Sequence, residues 1–128
     1  MFTDPQAVAE QVRLGFHGRH IVVIGDLMLD RYLWGRVDRI SPEAPVPIVG
    51  LERKTETAGG AANVARNLKS LGLKVSLAGV TGEDAGRLGL IHDLAANGIG
   101  TEAVLAAPDR VTTVKTRVVG DHQQMIRI

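Results

Sequence analysis

The apolar positions of this chain follow two periods in turn, and the changeovers divide it into elements. Asp4 is a suitable N-cap with Pro5 at the first helical position. Ala7, Val8, Val12 and Leu14 then predict a short amphipathic helix to about Phe16. Ile21-Val22-Val23-Ile24 is an unbroken apolar run stopped by Gly25-Asp26, the pattern of a strand buried on both faces of a parallel sheet. From Asp30 to Thr57 the pattern changes. Tyr32, Trp34 and Val37 alternate with Leu33, Gly35 and Arg36, and Pro42, Pro45 and Pro47 interrupt the stretch after them. Proline is confined to sheet edges and turns. The segment therefore predicts short exposed strands outside the main sheet, continued by Ile48-Val49-Gly50-Leu51.

The helical period returns from Gly60 to Leu71, with Ala62, Val64, Ala65, Leu68 and Leu71 on the inward side and Gly72 as a left-handed cap. Val75 to Val80 is the next strand. Asp84 to Asn97 predicts a second helix with Leu88, Leu90, Ile91 and Leu94 inward, and Val104-Leu105 a short strand. Thr112 to Val119 alternates, Gly120-Asp121 turns, and Gln123 to Ile128 runs back, a β-hairpin pattern. Strands alternating with helices predict a doubly wound α/β fold with right-handed crossovers. Ligands in such folds bind beyond the carboxyl ends of the strands, where Gly25-Asp26 and Gly79-Val80-Thr81-Gly82 fall.

Composition narrows the classes. The 128 residues suffice for one modest domain, and 45% of them are hydrophobic, a globular proportion. Fifteen Lys and Arg against 14 Asp and Glu leave a formal charge of +1, so no strong field favours nucleic acid or an anionic membrane. The absence of cysteine excludes disulfides and thiolate metal sites. His17, His20, His92 and His122 lack metal-ligand spacing. No apolar run reaches membrane-spanning length, and Asp4 and Glu10 stand where a signal peptide would be apolar, so a cytoplasmic location is the default expectation.

Candidate chemistry concentrates in Thr57-Ala58-Gly59-Gly60-Ala61-Ala62-Asn63-Val64-Ala65. Gly59 and Gly60 let a ligand approach the backbone closely. The first helical amides are open donors for oxygen-rich groups, and the Asn63 amide can donate and accept. The same run reads equally as a helix start packed tightly on a sheet. Neither G-x-G-x-x-G nor the P-loop pattern follows a strand. The first strand ends in Asp26, with Asp30 four residues on. A carboxylate there suits sugar hydroxyls, since charge-assisted hydrogen bonds are the strong ones; a turn cap at Asp26 and a solvated Asp30 are the structural alternatives.

Together these residues resemble the ribokinase-like (PfkB) family of sugar kinases. That family's N-terminal signature is a Gly-Gly pair, a small residue, any residue, Asn, any residue and a small residue, with two later glycines. Gly59-Gly60-Ala61-Ala62-Asn63-Val64-Ala65, Gly72 and Gly82 match it throughout. Within the family, Val23 to Tyr32, Arg39 to Pro47 and Gln123 to Arg127 are similar to the heptose 7-phosphate kinases of the bacterial ADP-heptose pathway, which are often fused to an adenylyltransferase.

The resemblance implies phosphorylation of the anomeric hydroxyl of D-glycero-β-D-manno-heptose 7-phosphate by ATP with Mg2+, for the lipopolysaccharide core. It also implies that Asp26, Gly59, Gly60 and Asn63 hold sugar hydroxyls. The segments of about 30–57 and 112–128 would form a lid that often pairs with a second subunit's lid, giving a homodimer, with Tyr32 and Trp34 as lid or dimer contacts. Arg39, Lys115, Arg117 and Arg127 are candidates for the 7-phosphate, with Lys115 and Arg117 on one strand face. The family's catalytic base lies in a Gly-Ala-Gly-Asp motif that does not occur here. Residues 1–128 are therefore expected to be the substrate-binding and lid portion of one kinase domain, with no catalytic residue of their own, no tight ATP or Mg2+ site, an open sheet edge and a self-associating apolar face. A non-catalytic sugar-binding half-domain and a kinase for another sugar are the alternatives. The 128-residue chain is expected to show no ATP turnover above an Asp26→Asn control in a coupled assay; turnover above that control overturns the reading.

Overall fold

The computed structural model describes residues 3–16 and 18–128; His17 lies outside them. The elements are α1 (Pro5–Leu14), β1 (His20–Ile24), β2 (Leu27–Ile40), β3 (Pro47–Gly60), α2 (Ala61–Ser70), β4 (Lys74–Thr81), α3 (Ala85–Ala96), β5 (Gly100–Ala106), β6 (Thr113–Gly120) and β7 (Gln123–Arg127). They build two sheets. One is a three-stranded parallel sheet in the order β1-β4-β5, and the other a four-stranded mixed sheet in the order β3-β2-β6-β7. The excursion thus forms its own sheet, as expected, but its strands are not short. β2 and β3 each run for 14 residues, because irregularities at Trp34/Gly35 and Val37/Arg39 let the ladder bend without breaking and the prolines gather at the distal turn and at the first residue of β3.

Helices α2 and α3 share one core with the parallel sheet. Ala62 and Ala65 of α2 and Leu90 and Leu94 of α3 are fully buried with Val75 and Leu77 of β4, and Leu27, Leu29 and Ala58 join them from the roots of β2 and β3. The inward stripes are narrower than the sequence suggests. Val64, Leu71 and Leu88 are exposed, not inward. On α2 the buried positions are three apart, which puts Val64 on the flank, and Leu71 lies past the helix end beside the Gly72 cap (φ 86°). On α3 the inner face carries Arg87, whose guanidinium donates to Thr81 Oγ1 (2.7 Å) and the Val104 carbonyl (3.1 Å) and so ties the helix to β4 and β5.

β1 is also not buried on both faces. Val23 packs on the core, but Val22 and Ile24 are 56% and 79% exposed. They share a sheet face with the exposed Val80 and Leu105, and none of the described residues covers it. β5 runs from Gly100 to Ala106, longer than Val104-Leu105. In the β6–β7 hairpin the turn is Asp121-His122, not Gly120-Asp121. Both residues have positive φ (48° and 69°), as a two-residue turn of the primed type requires, while Gly120 stays in β6.

The mixed sheet is sewn to the parallel one where β6 begins. Asp84, the N-cap of α3, accepts from the Arg87 amide (2.9 Å) and from the Thr112 amide (2.7 Å), and the Thr112 hydroxyl accepts from the Gly82 amide (3.1 Å). A Cβ at Gly82 would stand 2.6 Å from the Arg110 carbonyl oxygen and 2.7 Å from the Thr112 nitrogen, so only glycine fits. The Thr112 hydrogen bond, then that from Arg87, holds the Asp84 carboxyl below its usual range. A depressed folded-state value gives stability that is present above the unfolded carboxyl value, about pH 4, and is lost as pH falls through the folded one. Asp84→Asn is therefore expected to lower the unfolding temperature at pH 7, with the gap to the parent chain closing in acid; a pH-independent gap refutes the role. Leu77→Ala, at a fully buried site, is expected to cost about 2–5 kcal/mol in urea unfolding.

Candidate functional site

The polypeptide turns back on itself at the carboxyl end of β1, and this crossing builds the site. β2 leaves the end of β1 after Gly25-Asp26, pairs with β3 along its length, and β3 passes directly into α2 through Gly59-Gly60. The Ala61 amide donates to the Asp26 carbonyl (3.0 Å), so the first open amide of α2 is already satisfied by backbone. Ala62 is fully buried, so the helix-start residue that remains open to a ligand is Asn63. Gly60 has φ 58° and ψ −133°, and a Cβ on it would lie 2.5 Å from the Asp26 carbonyl oxygen. A Cβ on Gly59 would overlap the Asp30 carboxylate. Gly60 is thus required by this close approach, and a side chain at Gly59 would have to displace the Asp30 carboxylate.

The Asp26 side chain is exposed and lines a crevice of about 350 Å³ with Gly25, Gly79, Val80, Arg110 and Thr113. This is the carboxyl end of β1 and β4, where an α/β sheet receives its ligands. One face of the mixed sheet rises from the crevice. Met28 stands opposite Thr113, Asp30 opposite Lys115 and Tyr32 opposite Arg117, and paired positions share a face. Thr57 lies opposite Asp30 on the other neighbour, β3. Asn63 is exposed one turn into α2.

The structure divides the candidate cations. Arg117 donates to Asp30 (2.6 Å), with both side chains about one-fifth exposed, and its guanidinium lies 5.1 Å from the centroid of the Tyr32 ring. The Asp30 hydrogen bond raises the Arg117 pKa further above its ordinary value, against the pull of desolvation. Tyr32 stacks on Trp34 (5.6 Å, 16°), Arg53 covers Trp34 at 4.9 Å, and the indole N–H donates to Thr55 Oγ1 (3.0 Å). Two arginines thus sandwich two rings. Lys115 sits beside Asp30 and takes part in no ion pair among the described residues. Arg127 stands opposite Arg117 on the exposed β7. Arg39 does not join this group. It lies nine residues beyond Asp30 on β2, about 30 Å away at the rise of an extended strand.

Asp30, left open between solvation and function in the sequence, stands at the centre of this face; its signal was the even spacing along β2 from Met28 to Trp34. Arg110 sits in a loop and carried no periodic signal. On the opposite face, Glu56 accepts from Arg31 (2.6 Å) and lies 3.1 Å from the Lys54 ammonium. Burial works to raise the Glu56 carboxyl, but these two partners outweigh it and hold it below its usual range. Among the described residues no group of three or more His, Asp or Glu side chains is placed to hold a metal ion, and no helix is long and apolar enough to cross a membrane.

Comparison with known proteins matches residues 19–128 to the family described as pfkB family carbohydrate kinase. The bifunctional protein HldE of Magnetococcus marinus is 52% identical over 117 residues, covering 91% of this chain and 24% of that protein. That of Methylobacillus flagellatus is 56% identical over 111 residues, covering 84% and 22%. The chain thus spans about a quarter of the length of these curated relatives. Among solved structures, a carbohydrate kinase from Agrobacterium tumefaciens superposes with a TM-score of 0.72 at 25% identity, over 86% of this chain and 34% of that one. A ribokinase from Cryptococcus neoformans in complex with ADP superposes at 0.64 and 22% identity, over 87% and 34%. The fold is the ribokinase-like α/β fold. Gly59→Ala is expected to cost about 1–3 kcal/mol by overpacking against Asp30. Urea unfolding followed by the emission of Trp34, the only tryptophan, checks this, and an unchanged midpoint contradicts the close approach.

Proposed function

The chain belongs to the pfkB family of carbohydrate kinases, and we propose that it is the sugar-binding and lid portion of a kinase acting on D-glycero-β-D-manno-heptose 7-phosphate at its anomeric hydroxyl, within ADP-heptose and lipopolysaccharide core synthesis. The observation that carries this reading is the meeting of Asp26, Asp30 and Gly59-Gly60 beside the carboxyl end of β1, at the start of the helix that exposes Asn63 one turn on. The roughly half-identity to bifunctional HldE proteins supports it, as do the segments Val23–Tyr32 and Arg39–Pro47.

In this reading Asp26 and Asp30 accept from sugar hydroxyls, and the side chain and backbone amide of Asn63 add neutral hydrogen bonds. Such an arrangement orients a polyol, and positioning is one of the two things a phosphoryl-transfer site supplies, beside electrostatic stabilisation. ATP with Mg2+ would provide the phosphoryl group. No described cluster fits the metal, so no step is assigned to these residues beyond binding and covering the sugar. The mixed sheet is the lid, and a homodimer through it, with the Tyr32–Trp34 stack near the contact, belongs to the same proposal.

Isothermal titration of the chain with heptose 7-phosphate, ribose and fructose 6-phosphate tests the reading. Selective binding of heptose 7-phosphate that Asn63→Ala removes supports it. Asn63 is exposed, so that variant is expected to keep its stability within about 0.5 kcal/mol. Preference for another of the sugars, or binding to none, overturns the assignment.

A further inference from the structure

Seven of the eleven arginines of this chain have a side-chain partner among the described residues, and Arg19, Arg39, Arg110 and Arg127 have none. Arg31 pairs with Glu56, Arg36 with Glu52, Arg66 with Asp93 and Arg117 with Asp30, while Arg87 is tied to Thr81 and Val104. Arg110 is different. It lines the crevice at the end of β1 and β4 together with Asp26, and is exposed with no ion pair among the described residues. Its backbone is nonetheless fixed. Its amide donates to the Ala107 carbonyl (3.2 Å), its carbonyl packs against Gly82, and Thr112, two residues on, is held by Gly82 and Asp84. A free cationic head on an anchored stem is suited to an oxyanion, and a guanidinium can grip phosphate oxygens bidentately.

We propose that Arg110 is the phosphate-binding residue of the crevice, assisted by Lys115 one rung above Thr113, and that Arg117 positions Asp30 instead of touching phosphate. This deepens the sugar kinase reading and rests on it for the identity of the ligand. The chemistry is that of a phosphoryl oxyanion, carried either by the sugar's own phosphate or by the group being transferred. Arg110 and Asp26 are opposite charges lining one crevice, so one polyol phosphate can present hydroxyls to the carboxylate and oxygens to the guanidinium. The approximately 350 Å³ of the crevice matches a molecule of that size.

The test is a titration of the isotopically labelled chain with inorganic phosphate, following arginine Nε–H and backbone amide resonances. Saturable shifts at Arg110 and Thr113 are expected, with Arg117 unmoved. Affinity should fall at least tenfold in Arg110→Gln and return in part in Arg110→Lys. Saturation that bypasses Arg110, affinity within twofold in Arg110→Gln, or no saturable shift overturns the proposal. Parallel titrations with heptose and heptose 7-phosphate separate the sources. A loss in Arg110→Gln confined to the 7-phosphate assigns the sugar's phosphate; equal binding of both sugars with loss of added inorganic phosphate assigns the transferred group. A chain that binds phosphate at Arg110 but no sugar refutes the heptose reading alone, and one that binds heptose 7-phosphate indifferently to Arg110 refutes this inference alone.

Discussion

The hydrogen bond from the Ala61 amide to the Asp26 carbonyl is the contact on which the rest of the site depends. It brings the start of a helix against the end of a strand with no side chain between them. That closeness is possible only because Gly60 leaves space where a Cβ would strike the Asp26 carbonyl, and Gly59 leaves room beside it for the Asp30 carboxylate. Once the two backbones touch, the remaining geometry is set. β2 must depart upward beside β3, Asp26 is turned into the crevice, and Asp30 is set over the glycine pair within reach of Arg117. Sheet pairing then extends the same face outward through Tyr32 and Trp34.

Much of this was legible because it rests on local rules. The helix bounds at Asp4, Gly72, Asp84 and Asn97 follow from capping chemistry. The separate sheet follows from alternation plus clustered prolines. Burial was read less well, because periodicity locates a stripe but not its width. Val64, Leu71 and Leu88 carry the right residue type and lie on the wrong side, while Arg87 carries the wrong type and faces inward because two acceptors await it. The exposure of Ile24 depends on what covers the sheet, which no local pattern encodes.

The site shows the same division. The glycine pair and Asn63 announce themselves by spacing, whereas the roles of the basic residues are decided by long-range pairing. Lys115 and Arg117 look alike in the sequence. Only strand register places one beside Asp30 and the other where it bonds to it across 87 positions of chain. Arg39 fails as a neighbour through distance alone, which depends on β2 continuing for 14 residues. The signature glycine Gly82 likewise has a reason invisible in one dimension, since it makes room for the Arg110–Thr112 segment arriving from a distant loop.

Among the described residues the mixed sheet is joined to the body at its root, through Gly25-Asp26, the Gly60–Ala61 bond and the approach to Thr113, with the Asp84–Thr112 contacts alongside. Two strands of 14 residues project from that root by about 45 Å at the rise of an extended chain. The sheet is therefore a lever with its fulcrum at the crevice. A tilt of about 5° at the root would sweep the tip through about 4 Å over such a length, so a displacement too small to disturb the Asp26 carbonyl contact is magnified into one that a neighbouring surface would register.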